Sequence, residues 1–226
     1  MTVTVSAYTA EQVRAAERPL LDAGEPLMLR ASAALATEIA DVLGDRPHPR
    51  VLVLAGRGDN GGDALYAAER LAESGMDVDA LLTSGDAHVS ALAAAMSAGV
   101  RRIESDGLDA TEYDLIVDGI LGIGARGALR GAARAIVGAM LAAEIPPVIA
   151  VDVPSGVNPD DGTADEAVLP AALTVTFGAP KIGLGRAEGP RLTGEIVVVD
   201  LGLELPESDV RLDVARVVGG GSSQRA

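Results

Sequence analysis

The stretch Val51–Asp63, VLVLAGRGDNGGD, runs from five consecutive apolar residues into a glycine-rich segment. An uninterrupted apolar run of strand length suits a strand buried on both faces, as in a parallel sheet flanked by helices. Glycines after it permit positive φ and close approach of a ligand to backbone N–H groups, and a helix starting near Gly62 would aim its positive end at an anion. The same residues spell G-x-G-x-x-G at Gly56, Gly58 and Gly61. As a dinucleotide fingerprint that pattern is weak by itself, because Asp59 and Asp63 would set two carboxylates beside a pyrophosphate. A plain tight turn is the structural alternative.

The same grammar continues in both directions. Apolar runs at 50–56, 78–83, 114–120, 147–153, 173–179 and 195–201 read as strands separated by alanine-rich helical patterns. Upstream, Thr9 followed by Glu11 and Gln12 is a helix N-cap, and Leu27, Ala31, Ala34, Leu35, Ile39 and Val42 recur at helical spacing until Gly44. The expectation is an α/β fold: a three-layer αβα sandwich with a Rossmann-like, mostly parallel sheet and two N-terminal helices preceding any strand. One domain covers 1–218, and the Gly/Ser-rich residues 219–226 read as a flexible tail.

Bulk composition narrows the chemistry. The 226 residues carry 18 Lys plus Arg against 33 Asp plus Glu, a net charge of −15, with 2% aromatic residues. A surface of that sign repels phosphate backbones and offers few rings for base stacking, so nucleic acid is not an expected partner. There is no cysteine, which removes disulfides, thiolate metal sites and cysteine nucleophiles, and the only histidines are His48 and His88. Neither a secretory signal pattern nor an apolar run of membrane-spanning length is present, and a cytoplasmic location is expected.

In doubly wound sheets ligands bind beyond the carboxyl ends of the strands, so the residues following each strand matter most. Asp118 closes the third strand, and Gly122, Gly124 and Gly127 follow in a loop that presents Arg126, either a phosphate clamp or a solvated cation. Asp152 ends the fourth, stiffened by Pro154 and followed by Ser155, and can serve as acid or base or simply cap its turn. No G-x-S-x-G is present and neither histidine sits beside a strand end where a base would be needed, which argues against a serine hydrolase. Asn60, Asp118 and Ser155 supply one carboxylate and neutral oxygens from three strand ends, a set too weakly charged for a divalent ion and better suited to a monovalent cation, with potassium the choice. Three unrelated turn caps are the alternative. Lys181 stands after the fifth strand, either in the pocket wall or on the surface.

Taken together, DNGGDA from Asp59, VDGILGIGARG from Val117, VDVPSG from Val151, TFGAPKIG from Thr176 and GEIVVVDLG from Gly194 resemble the NAD(P)H-hydrate epimerase family, the YjeF N-terminal domain. The lead-in LMLRAS at 27–32 resembles the opening of that family too. The resemblance implies an isomerase that interconverts the R and S epimers of NADHX and NADPHX, nicotinamide nucleotides with water added at C6 of the ring, and that works beside an ADP- or ATP-dependent dehydratase. It implies a homodimer with one K+ per subunit held by Asn60, Asp118 and Ser155. It also implies substrate contacts from Asp59, Asn60, Gly61, Gly62 and Asp63, from Gly122, Ile123, Gly124, Ala125, Arg126, Gly127 and Ala128, and from Asp152, the expected catalytic group. Three positions depart from the pattern: Asp59 replaces Asn, Ala64 replaces Gly, and Ser32 replaces Gly. The competing readings are an NAD-dependent dehydrogenase, which predicts a ribose-binding acid at the end of the second strand where Thr83–Ser84 stand and Asp86 is only a late candidate, and a non-catalytic scaffold domain, which would not need the strand-end polar groups.

Overall fold

A computed structural model describes residues 2–124 and 127–220. In chain order the elements begin with strand β1 (Val3–Ser6) and helices α1 (Ala10–Asp22) and α2 (Leu27–Leu43). There follow β2 (Arg50–Ala55), α3 (Asp59–Glu73), β3 (Asp77–Leu82), α4 (Val89–Ser97) and β4 (Arg101–Ile103). Next come β5 (Leu115–Gly119), α5 (Gly131–Leu141), β6 (Val148–Val151), β7 (Leu173–Phe177) and the short α6 (Gly189–Leu192). The chain closes with β8 (Glu195–Asp200), β9 (Arg211–Val214) and β10 (Arg216–Gly219).

Eight strands form one sheet in the order β10-β8-β7-β6-β5-β2-β3-β4, and every pairing in it is parallel. Val51 to Ala55 of β2 are fully buried and alternate between two cores. Val51, Val53 and Ala55 pack with α2, α3 and α4 on one face, whereas Leu52 and Leu54 pack with Val137 and Met140 of α5 on the other. This alternation is what makes the three-layer sandwich: each strand side chain has a helix layer to enter, so both faces must be apolar.

Two features differ from the sequence expectation at the edges. A strand precedes the N-terminal helices: β1 pairs antiparallel with β9 in a separate two-stranded sheet. Its alternating VTVS is half exposed and too short to stand out. At the other end β10 runs to Gly219, which pairs with Asp200 and stands in the stretch expected as tail, and residues 221–226 lie outside the described part. The Thr9 cap is present as a full capping box, with Gln12 N–H donating to Thr9 Oγ1 (3.2 Å) and Thr9 N–H to Gln12 Oε1 (2.9 Å). On α2 the buried stripe ends at Leu43, and Val42 faces outward.

From β2 the chain winds outward through β3 and β4, then returns to the other side of β2 and proceeds through β5, β6, β7 and β8. The reversal places a topological switch between β2 and β5, and the crevice beyond their carboxyl ends is where such sheets take ligands. Gly56 and Asp118 stand on either side of it.

Candidate active site

The glycine-rich segment is tighter than a loop. Helix α3 begins at Asp59, so Asn60, Gly61, Gly62 and Asp63 form its first turn instead of preceding a helix at Gly62. Glycines make this possible by removing side chains where backbones cross. A Cβ on Gly61 would lie 1.9 Å from the Gly56 carbonyl oxygen, and one on Gly56 would lie 1.9 Å from that of Ile120. The ends of β2, α3 and β5 therefore touch through their main chains. Ala64 occupies space that only a glycine at 119 leaves open: a Cβ on Gly119 would lie 2.5 Å from the Ala64 Cβ.

Across the crevice the three expected cation ligands converge on one loop. Ser155 Oγ donates to Asp118 Oδ1 (2.6 Å), the Ser155 N–H donates to Asp118 Oδ2 (2.8 Å), and the Leu121 N–H donates to Ser155 Oγ (2.8 Å). Asn60 Nδ2 donates to the Leu121 carbonyl (3.0 Å), leaving its Oδ1 without a hydrogen bond among the described residues and beside Gly122. Burial raises the Asp118 carboxyl above the usual range, opposed by hydrogen bonds from Ser155 and Ile120. One carboxylate, one amide oxygen, one hydroxyl and a nearby carbonyl form a donor set whose charge and hardness fit a monovalent cation.

Asp152 follows β6 and is nearly buried, with φ of +65°. A non-glycine residue there is held by its surroundings at a cost of about 1–3 kcal/mol, the kind of strain that marks functional positions. The surroundings are explicit. Its N–H bonds the Val175 carbonyl (2.8 Å), and its Oδ1 accepts from Thr176 Oγ1 (3.1 Å), Phe177 N–H (3.2 Å) and Lys181 Nζ. Lys181, left open by the sequence, is 1% exposed. Its remaining donors go to the Phe177 carbonyl (2.8 Å) and Thr176 Oγ1 (3.1 Å), so it is a buried counter-ion, and the surface alternative is excluded. Asp152 Oδ2 takes no hydrogen bond among the described residues.

The N-terminal segment completes the wall. Tyr8 pairs with the chain at Lys181, accepting from Ile182 N–H (2.9 Å) and donating to the Pro180 carbonyl (3.0 Å). That anchor brings α1 alongside, and Glu17 on this helix feels the charges of Lys181, Asp152 and Asp59. Burial raises its carboxyl, with Lys181 opposing and Asp152 and Asp59 adding. Glu17 was not singled out from sequence, although it lies four residues after buried Val13 and three before half-buried Leu20, on the inward stripe. Of the second expected substrate loop, Gly122, Ile123, Gly124, Gly127 and Ala128 follow β5 as predicted, and Ile123 packs into the cores around Val153 and Tyr8. Ala125 and Arg126 lie outside the described residues.

A parallel sheet with its polar groups gathered at the switch point defines a Rossmann-like α/β protein, here with an acid-rich crevice instead of a phosphate-only cradle. Within that class, the chain belongs to the family described as YjeF-related protein N-terminus, whose profile matches residues 24–183. It is 55% identical over 208 residues to the NAD(P)H-hydrate epimerase of Microbacterium testaceum, covering 90% of this chain and 81% of that protein. The corresponding protein of Clavibacter michiganensis subsp. michiganensis is 48% identical, with 92% and 96% covered. The bifunctional NAD(P)H-hydrate repair enzyme Nnr of Mycobacterium tuberculosis is 44% identical over 90% of this chain but only 43% of its own length. In fold, the crystal structure of yeast ynu0 superposes with a TM-score of 0.72 at 21% identity, over 93% of this chain and all of the other.

Proposed function

We propose that this chain is an NAD(P)H-hydrate epimerase, an isomerase that interconverts the R and S epimers of NADHX and NADPHX. The observation that carries this is the near-full-length likeness to epimerases, joined to a strand-end aspartate pinned by a buried lysine. C6 of the hydrated ring bears a hydroxyl and is bonded to the ring nitrogen. Its configuration is lost when the C–O bond breaks with help from the nitrogen lone pair, and regained when water adds to either face. Both steps move a proton at oxygen, the task of a positioned acid–base group. Asp152 meets the requirement: three donors fix Oδ1, and Oδ2 remains for the substrate.

The test uses a mixture of epimers with a dehydratase specific for the S form. Alone, the dehydratase stalls once S is spent. With this chain present, consumption should run to completion at a rate proportional to its concentration, and a residue of R that declines no faster than without the chain would refute the assignment.

A potassium ion belongs to the same proposal, with Asn60, Asp118 and Ser155 as the residues that would hold it. Bound there, it would add positive charge to an acidic crevice and hold the β2, β5 and β6 ends in register. Replacing K+ by choline at constant ionic strength should lower kcat/KM, and Asp118→Asn should remove that dependence. Equal rates in both salts would count against the ion. Coupling to a dehydratase, a homodimer and a cytoplasmic location complete the reading. Among the described residues no helix is long and apolar enough to cross a membrane.

A further inference from the structure

Asp63 is 8% exposed, and its Oδ1 is buried with no hydrogen-bond partner, the only side-chain oxygen or nitrogen in that state among the described residues. An ionised carboxylate in such a place would be doubly penalised, by lost hydration and by unmet acceptor capacity. The charges around it sharpen the conflict. Asp59 is one turn back on α3, Asp152 lies at the tip of β6 and Glu17 comes from α1, and among the described residues the cation that opposes them is Lys181, already paired with Asp152. From the other elements packed on this helix turn, Asp118 of β5 is occupied by Ser155 and Ile120. His88 at the start of α4 lies against Gly62 with Nδ1 accepting from Ala91 N–H (3.2 Å), and Met28 of α2 is apolar. Burial, joined by Asp152, Asp59 and Glu17, pushes the Asp63 carboxyl well above the usual carboxylate range, with Lys181 opposing.

Asp63 and Asp152 therefore feel each other's charge from unlike settings: Asp152 is ion-paired with Lys181, and Asp63 has no ion pair among the described residues. A pair divided in this way is how one site supplies an acid and a base together. We propose that Asp63 is a second acid–base residue of the epimerisation, the proton donor that complements the Asp152 carboxylate. The inference rests on the epimerase reading. In one direction the Asp63 proton leaves with the C6 hydroxyl as water while the ring-nitrogen lone pair closes the N1=C6 double bond. Water then adds to C6 on the other face and gives a proton to Asp152. The net change is inversion at C6 with one proton moved from Asp63 to Asp152; exchange with solvent resets the pair, and the opposite epimer uses the roles in reverse.

Asp63→Asn separates this from a structural role, because the amide keeps the shape and neutrality of a protonated acid but cannot surrender a proton. In K+ buffer, kcat should fall about 10²–10⁴-fold, with KM little changed and the alkaline limb of the wild-type pH–rate profile absent. A second readout needs no substrate. A carboxyl protonated when folded and ionised when unfolded makes wild-type stability decline as pH rises from the ordinary Asp range to the raised value. The variant lacks that decline, so its Tm advantage should widen from pH 5 to pH 8. A kcat within about threefold of wild type, or a Tm difference independent of pH, would overturn the proposal. Wild-type protein inert towards both epimers would instead fail the epimerase assignment, and the donor role would fall with it.

Discussion

Asp152→Asn should lower kcat for epimerisation about 10³-fold or more, and it should also destabilise the protein. The first effect follows from removing a carboxylate that three donors hold at Oδ1 while Oδ2 takes no hydrogen bond among the described residues. The second follows from Lys181. With side-chain exposures of 1% and 8%, the lysine and aspartate are taken out of water together. Truncating one member of a buried pair strands the other, at a cost of about 3–5 kcal/mol. An asparagine still accepts hydrogen bonds but leaves the ammonium with only Thr176 Oγ1, the Phe177 carbonyl and an amide for company. Replacing both members, Asp152→Asn with Lys181→Met, should recover much of the stability without recovering turnover, since no charge is then buried alone. Circular dichroism melts of the two variants beside steady-state rates make the separation. If the single variant retains more than about a tenth of wild-type kcat, Asp152 is not the acid–base group. If the double variant melts no higher than the single one, the ion pair is not what supports the strained turn.

The strands at the centre of the sheet were legible because burial on both faces leaves no room for polar residues: RVLVLA and EIVVVD announce themselves. Those at the periphery were not. Strand β4 is the polar RRI, β1 is a short alternating VTVS, and β10 has a partner on one side only, so their pairing is decided by tertiary contacts that no local pattern records. Asn60, Asp118 and Ser155 could be named as a group because each stands at or close to a strand end, and the carboxyl ends of parallel strands lie on one side of the sheet. The local pattern nevertheless starts the helix near Gly62 and leaves Asn60 and Gly61 ahead of it. Glycine, asparagine and aspartate are poor helix formers, and here packing against β5 outweighs propensity. Lys181 is the sharper lesson. A lysine flanked by glycines and apolar residues is ambiguous until one knows that Asp152 waits beneath it, and that depends on β7 lying next to β6.

Gly61→Ala should be among the most damaging conservative changes in the chain, whereas Gly58→Ala, in the same G-x-G-x-x-G, should be mild. The added methyl at 61 would meet the Gly56 carbonyl oxygen at 1.9 Å, a backbone atom with no rotamer by which to escape. Either α3 must move by about 1 Å or the β2 end must distort, and overpacking of that kind costs about 3 kcal/mol, or roughly 6–12 °C in Tm for a chain of this size. Asn60 and Asp63 ride on the displaced turn, so kcat should fall about 10²-fold as well, the usual consequence of misplacing reacting groups by such a distance. At 58 an added Cβ finds nothing within 4 Å, and the residue's φ of −91° is open to alanine. Its cost is at most about 1 kcal/mol, through the weaker capping preference of alanine. The contrast decides what the motif is for. In a dinucleotide fingerprint the middle glycine matters because a pyrophosphate passes over it, so a large loss of NAD(P)HX turnover in Gly58→Ala would restore that mode of binding. Tolerance at 58 together with intolerance at 61 would mean that these glycines are spaced by the crossing of β2, α3 and β5, and that the match to the fingerprint is a by-product of fitting three backbones into one crevice wall.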